Sequence, residues 1–458
     1  MKAFFLCLLL IPHVLGAQVN QIFPETSEAR RQTLDRIFTS PELQVSQGPR
    51  FLSQKELNPR VKFEVFYQRD RTTSDGRPVY YFSYIPEENF SFTYGHRGHS
   101  VIKMDAATGK LESLKVFFQE TKLETSADLG QKTWGSFLLV TPHEPKTSLA
   151  VFIEGQRIAI DIPLPFTMKE ILSTPVSRWK AATKDYMDWE MVFPPHTSSA
   201  KSLEQVVMEI RRLLVNIPEV DDGALDEKGN WVYINTLLPQ TSPGGLNCSG
   251  FAKWVVDGLY KPITGSWLKI TPLKIRGEGT RGTVYTRPYD DPENQTLLRD
   301  PFFGLDWTRN LAQSVAQALY PSRPVSDEGQ DVRLNSFFTY TKNRGFKIED
   351  LDPILYELAV KNPGHIYLGS VNGDFGTNPV LNQHRHVAVF FPWIDPWGIY
   401  RLAVFEVNQE TSLVRLQSAY PHHWVHLVEV PASEGFEPHS LLAGRKSNLD
   451  PQARILQR

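Results

Sequence analysis

Apolar residues along the chain fall into two rhythms. Over 61–162 they keep a period of two or cluster in short runs. Val61, Phe63, Val65 and Tyr67 alternate with Lys62, Glu64 and Phe66, and β-type runs recur at 79–84, 116–119, 137–140, 150–153 and 158–162. Turn signals such as Ser74-Asp75-Gly76 and Glu154-Gly155 stand between them. The pattern predicts short strands folded as a small sandwich or barrel. A short helix precedes it over 26–40, with Leu34, Ile37 and Phe38 on one face. Pro163, Pro165 and Pro194-Pro195 mark a change of rhythm. Leu203, Val206, Val207, Ile210, Leu213 and Leu214 then recur at helical spacing, and helix and strand patterns mix up to about residue 430. The expected fold class is α+β. A signal segment occupies 1–17, an all-β accessory domain 18–165, a second domain 166–432 and a polar tail 433–458. The tail, with Pro438, Gly444 and Pro451, reads as a loosely docked extension.

Charge changes this picture little. The 49 Lys and Arg stand against 51 Asp and Glu, which excludes a broadly basic nucleic-acid binder. The N-terminus changes it more. Lys2, an apolar run over 4–15 interrupted by Pro12 and His13, and the small residues Gly16 and Ala17 read as an export signal. The run is shorter than the ~20 apolar residues a bilayer span needs. No second apolar stretch of that length follows, so the expected product is secreted or periplasmic, with no stable membrane span after cleavage. Two cysteines are present, and Cys7 leaves with the signal. Cys248 then has no intramolecular partner. In an exported protein that means a buried small hydrophobe, an intermolecular link or a reactive thiol.

The surroundings of Cys248 favour reactivity. Pro243-Gly244-Gly245 is a loop and Asn247 a favoured N-cap; Phe251, Ala252, Val255 and Leu259 give the helix that follows one apolar face. A cysteine in the first turn of a helix feels a partial positive charge that favours its thiolate. Gly244, Gly245 and Gly250 let backbone approach a bound substrate and an oxyanion closely. Of twelve histidines, His386 is the candidate base. It opens a β-run over 385–391, a turn containing Asp395, Pro396 and Gly398 follows, and a second β-run covers 400–408. Two such runs predict a hairpin. Glu406 and Asn408 share one face of its second strand, so either could orient the His386 ring. Glu406 is favoured, because a charge in the middle of an apolar strand needs a partner. His384 and His365 are the next candidates for the base, and Gln240 is a candidate oxyanion donor. His422 and His426 would be one turn apart on a helix, but their flanks read as strand or loop and no third ligand stands near. No metal and no cofactor is expected.

Three islands, Asn247-Cys248-Ser249-Gly250-Phe251, His386-Val387-Ala388 and Glu406-Val407-Asn408, resemble the papain-like cell-wall peptidases and amidases of the NlpC-type and CHAP-type branches. The resemblance implies a papain-like domain, with a helix packed on an antiparallel sheet and the active site between them. It implies Cys248 as nucleophile, His386 as base and Glu406 or Asn408 as the orienting residue. The implied reaction is hydrolysis of an amide bond in peptidoglycan or a related peptide. Asn247 stands where an Asp is common, and 138 residues separate Cys248 from His386, more than compact members need. The excess, about 261–344, is expected as an insertion that shapes or caps a cleft. Two other functions fit the same residue types: thiol acyl transfer of the transglutaminase kind, and a non-catalytic binding protein with an enzyme's fold.

Overall fold

The computed structural model of the chain describes residues 25–37, 52–53, 60–70, 76–87, 98–119, 135–195, 197–214, 218–241, 243–277, 300–324, 326, 328–375, 380–407 and 409–441. The signal segment 1–17 and Asn408 lie outside them. Helix α1 (Ser27–Ile37) leads into strands β1 (Leu52–Ser53), β2 (Arg60–Arg69), β3 (Pro78–Glu87), β4 (Ser100–Asp105), β5 (Leu111–Gln119), β6 (Ser136–His143), β7 (Lys146–Ile153) and β8 (Gln156–Leu164). They pair in chain order, antiparallel throughout. Among the described residues β1 and β8 do not pair with each other, so the expected sandwich or barrel is instead one open eight-stranded sheet.

A single sheet cannot bury an apolar face alone. Helices cover this one: Ala29 of α1, Ile171 and Leu172 of α2 (Met168–Ser173), and Val176 and Trp179 of α3 (Val176–Thr183) join Phe63, Phe82, Val116 and Leu138 in one core. The region is therefore not all-β. Nor does it end at 165: Trp189, Met191 and Val192 belong to the same core.

The second unit opens with α4 (Ser198–Leu213), whose Leu203, Val206, Val207 and Ile210 are buried at the predicted spacing. A small hairpin of β9 (Gly223–Leu225) and β10 (Trp231–Tyr233) leads to α5 (Cys248–Thr264). There follow α6 (Ile270–Leu273), α7 (Phe303–Leu319), β11 (Phe346–Lys347), α8 (Leu351–Lys361), β12 (His365–Phe375), β13 (Leu381–Ile394), β14 (Tyr400–Glu406), β15 (Gln409–Thr411), α9 (Leu413–Ala419) and β16 (Trp424–Pro431). These strands form an antiparallel sheet in the order β11-β16-β12-β13-β14-β15. Helices α4, α5 and α7 pack on one face; α8 and α9 pack on the other. The architecture is α+β, and the predicted hairpin is the β13–β14 pair.

Helix α5 lies deeper than its sequence suggests, for every residue over 249–259 is buried rather than one face alone. Lys253 and Asp257 are tolerated there because they pair at 2.6 Å, and Asp257 also accepts the Leu268 N–H. Leu311, Ala312 and Val315 of α7 share its core. The stretch 261–344 is thus not simply an insertion over a cleft; α7 within it is a structural wall.

The tail also departs from expectation. Phe436 and Leu441 pack on the core of α5. A Cβ on Gly258 would stand 2.3 Å from the Phe436 ring, so only glycine leaves room for it. Pro262, in the last turns of α5, has no N–H to offer the Gly258 carbonyl. The Glu437 N–H takes that place at 2.8 Å. Trp254 Nε1 donates to the His439 carbonyl at 2.8 Å. Residues 433–441 are docked, and the rest of the tail lies outside the described residues.

The two units share packing as well. Tyr356, Ala359 and Val360 of α8 enter the first core, and Tyr356 Oη donates to the Met191 carbonyl at 2.6 Å. Among the described residues no helix is long and apolar enough to cross a membrane.

Candidate active site

Cys248 opens α5, as predicted. The Asn247 side chain accepts the Gly250 N–H at 2.8 Å and caps the first turn. The nearby glycines serve a different purpose from the one expected. A Cβ on Gly245 would lie 2.2 Å from the Pro218 carbonyl oxygen, and one on Gly250 2.0 Å from that of Gly223. These positions admit the protein's own backbone rather than a ligand. Gln240 is engaged in the same loop. Its Nε2 donates to the Val232 and Gly245 carbonyls, and its Oε1 accepts the Gly245 N–H. It buttresses the loop before Cys248 and is not aimed into the cleft as an oxyanion donor.

His386 owes its position to a β-bulge. Ser370 faces Val387, Val371 faces His386 and Asn372 faces His384, so Arg385 is the extra residue of the bulged strand. A bulge shifts the phase of side chains along a strand and re-aims them. Upstream of it, His384 meets Ser370 beside Gly304 of α7. Downstream, Val387, Val389 and Phe391 point into the core under α5 and α7. His386 falls on the opposite phase. It also lies beyond the last β13–β14 rung, Val389 with Phe405. No Gly or Pro marks this bulge in the sequence.

Glu406 is the last residue of β14 rather than a mid-strand residue, and its Oε2 meets His386 Nε2 at 2.7 Å. The side chains are only 12% and 15% exposed, so water screens the contact weakly. Hydrogen bonds to a charged group are worth about 1.5–3 kcal/mol. With Nε2 so held, Nδ1 is the ring nitrogen left for Cys248, which lines the same cleft. Asn408 lies outside the described residues. Tyr420, just after α9, stacks on the face of His386 with ring centroids 5.3 Å apart and planes 20° apart. Sequence reasoning missed it, because Tyr420-Pro421-His422-His423 reads only as a loop.

Burial pulls the His386 imidazolium down. Hydrogen bonds and charges from Cys248 and Glu406 outweigh it and lift the ring to about 9. Burial pushes the Cys248 thiol up. The hydrogen bond and charge of His386, the Val387 N–H and the Ser249 hydroxyl overcome that and hold it below an ordinary thiol. The two shifts share a cause, for each group favours the charged form of the other.

A cleft of about 520 Å³ opens over the pair. That is ample for a segment of peptide. The start of α5, the bulged stretch of β13 and the ends of α6 and α7 line it, with Lys274, Arg276 and Arg385 among Asp222, Asp300 and Asp306. Arg276 pairs with Asp300 at 3.0 Å.

Among the described residues, the other candidate histidines are placed elsewhere or otherwise engaged. His384 lines the cleft, but its Nδ1 bonds Ser370 Oγ at 2.9 Å and its Nε2 the Asn343 carbonyl at 3.0 Å. Burial, then the neighbouring His426, holds its pKa well below that of an ordinary histidine. It is a neutral buried ring, not a base. His365, at the start of β12, meets the Asn362 carbonyl and does not line the cleft. His422 is exposed at φ 63°, whereas His426 is buried against Asp331 and Tyr340 on β16. The two are not one helical turn apart.

Residues 19–191 match a domain of unknown function (DUF8515). That match covers the first sheet and its helices and ends before the candidate site begins. No curated protein and no solved structure matches the chain.

Proposed function

We infer that the chain is an exported thiol hydrolase with a papain-like second domain, cleaving an amide bond in peptidoglycan or a related peptide. One observation carries this reading: a free thiol in the first turn of α5 lines one cleft with an imidazole whose Nε2 a carboxylate holds at 2.7 Å. The packing of α5 on an antiparallel sheet supports the papain-like assignment. In the proposed reaction the Cys248 thiolate attacks the carbonyl carbon. The resulting oxyanion takes hydrogen bonds at the start of α5, where the Cys248 N–H has no helical acceptor. The His386 imidazolium then gives its proton to the leaving nitrogen, the C–N bond breaks, and a thioester and a free amine result. Water attacks the thioester, neutral His386 takes its proton, and the carboxylic acid leaves as the C–S bond breaks. Glu406 fixes the ring and stabilises its charge at both proton transfers.

The test is digestion of purified peptidoglycan and of its stem peptides by the full chain and by Cys248→Ala, with products read by mass spectrometry. New amine and carboxyl ends that require Cys248 are expected. Intact substrates with both proteins would overturn the hydrolase reading. Products carrying an added amine in place of water would move the assignment to acyl transfer.

A further inference from the structure

We propose that Tyr420 is a positioning residue for the His386 imidazole, acting through the face of its ring. The inference rests on the thiol–imidazole pairing above and adds a group to it. An imidazole hydrogen-bonds through its ring nitrogens, in the plane of the ring; Glu406 takes Nε2 at 2.7 Å, and Cys248 acts on the same ring. Two in-plane contacts leave the ring free to rock about the line that joins them. Only a group against its face stops that motion. Tyr420 is such a group, stacked 5.3 Å away with planes 20° apart.

The stack also bears on charge. An aromatic face is negative and attracts a cation above it. Tyr420 therefore favours the imidazolium over the neutral ring, and with it the thiolate. Its phenol is pushed up to about 12 by burial and by the charges of Glu406, Cys248 and Glu219, so it remains neutral while the pair works. The ring is held at the end of α9, where the Tyr420 N–H donates to the Leu416 carbonyl at 3.0 Å. His423 packs edge-on against it at 5.6 Å and 71°. The titratable groups around His386 and Tyr420 are thus Cys248 from α5, Glu406 from β14, His423 before β16 and Glu219 from the loop before β9.

The experiment follows Cys248 alkylation by iodoacetamide against pH in the full chain, together with the His386 ring by NMR of labelled histidine. The variants are Tyr420→Phe, Tyr420→Leu and Tyr420→Met, with His386→Ala as reference. Leucine and methionine remove the aromatic face, so the His386 pKa falls by about half to one unit and alkylation at acidic pH slows roughly 3–10-fold. Phenylalanine keeps the face and matches the wild type. Two non-aromatic variants are used so that failure of one to fold does not decide the matter. If both profiles match the wild type, or if Tyr420→Phe behaves as they do, the proposal is overturned while the pairing stands. If His386→Ala leaves the wild-type alkylation profile unchanged, the pairing itself fails and this proposal falls with it.

Discussion

Both sheets hold a histidine in nearly the same packing. In the first sheet His99 stacks on Phe117, with centroids 5.3 Å apart, and its Nε2 meets Ser83 Oγ at 2.7 Å. In the second, His386 stacks on Tyr420 at 5.3 Å and its Nε2 meets Glu406 Oε2 at 2.7 Å. One is 1% exposed and lies in a wall of strands; the other borders a cleft and faces a thiol. An aromatic stack and one hydrogen bond make a well-seated histidine. In the proposed reaction, a carboxylate in place of a hydroxyl and a sulfur beside the ring turn that seat into a proton-transfer site.

The most severe way to test the contrast is to remove each ring. His386→Ala and Cys248→Ala should each lower kcat/KM roughly 10³-fold or more, by similar amounts, because nucleophile and base act as a unit. His99→Ala should keep the activity of the folded protein and appear instead in urea unfolding, as a loss of about 1–3 kcal/mol. Comparable activity losses at both positions would erase the distinction.

The partner of each ring gives a smaller effect. Glu406→Gln keeps a hydrogen bond and removes a charge, and is expected to lower kcat about 10–100-fold. Ser83→Ala is expected to leave kcat unchanged. The pH profile sharpens the point. Because His386 is raised to about 9, its imidazolium survives through neutrality, and activity falls as pH rises through about 9 and the general acid is lost. The lowered Cys248 pKa places the acidic limb below that of an ordinary thiol. Without the Glu406 charge the imidazolium is less favoured, so the alkaline limb moves to lower pH. An unmoved limb in Glu406→Gln would mean that the carboxylate only orients the ring.

Two further substitutions mark the small end of the scale. Gly258→Ala drives a methyl group into Phe436 and is expected to destabilise the second unit by about 1–3 kcal/mol in urea melts, with activity retained when folded. Asn408→Ala is expected to change neither kcat nor its pH dependence, because Glu406 already holds the ring. A large loss there would reassign the third member.

Local signals were legible in the sequence. Asn247 announced the start of α5, Asp395-Pro396 and Gly398 announced the β13–β14 turn, and period-two alternation announced most of the first sheet. Features set by distant contacts were not. The bulge at Arg385 needs β12 as its reference, so no residue type marks it. The burial of Lys253 is unreadable until α7 and the tail pack around α5. Gly245 and Gly250 correctly marked a close approach, but composition could not say whether ligand or backbone came close.

The docking of the tail on α5 has a consequence in time. A ribosome adds 185 residues after Trp254 before the indole has the His439 carbonyl to bond. Until then the Gly258 carbonyl lacks the Glu437 N–H, and the groove over Gly258 is without Phe436. Cys248, His386 and Glu406 all emerge earlier. A nascent chain arrested between Glu406 and Phe436 therefore carries all three groups while the helix that bears Cys248 still lacks its last support.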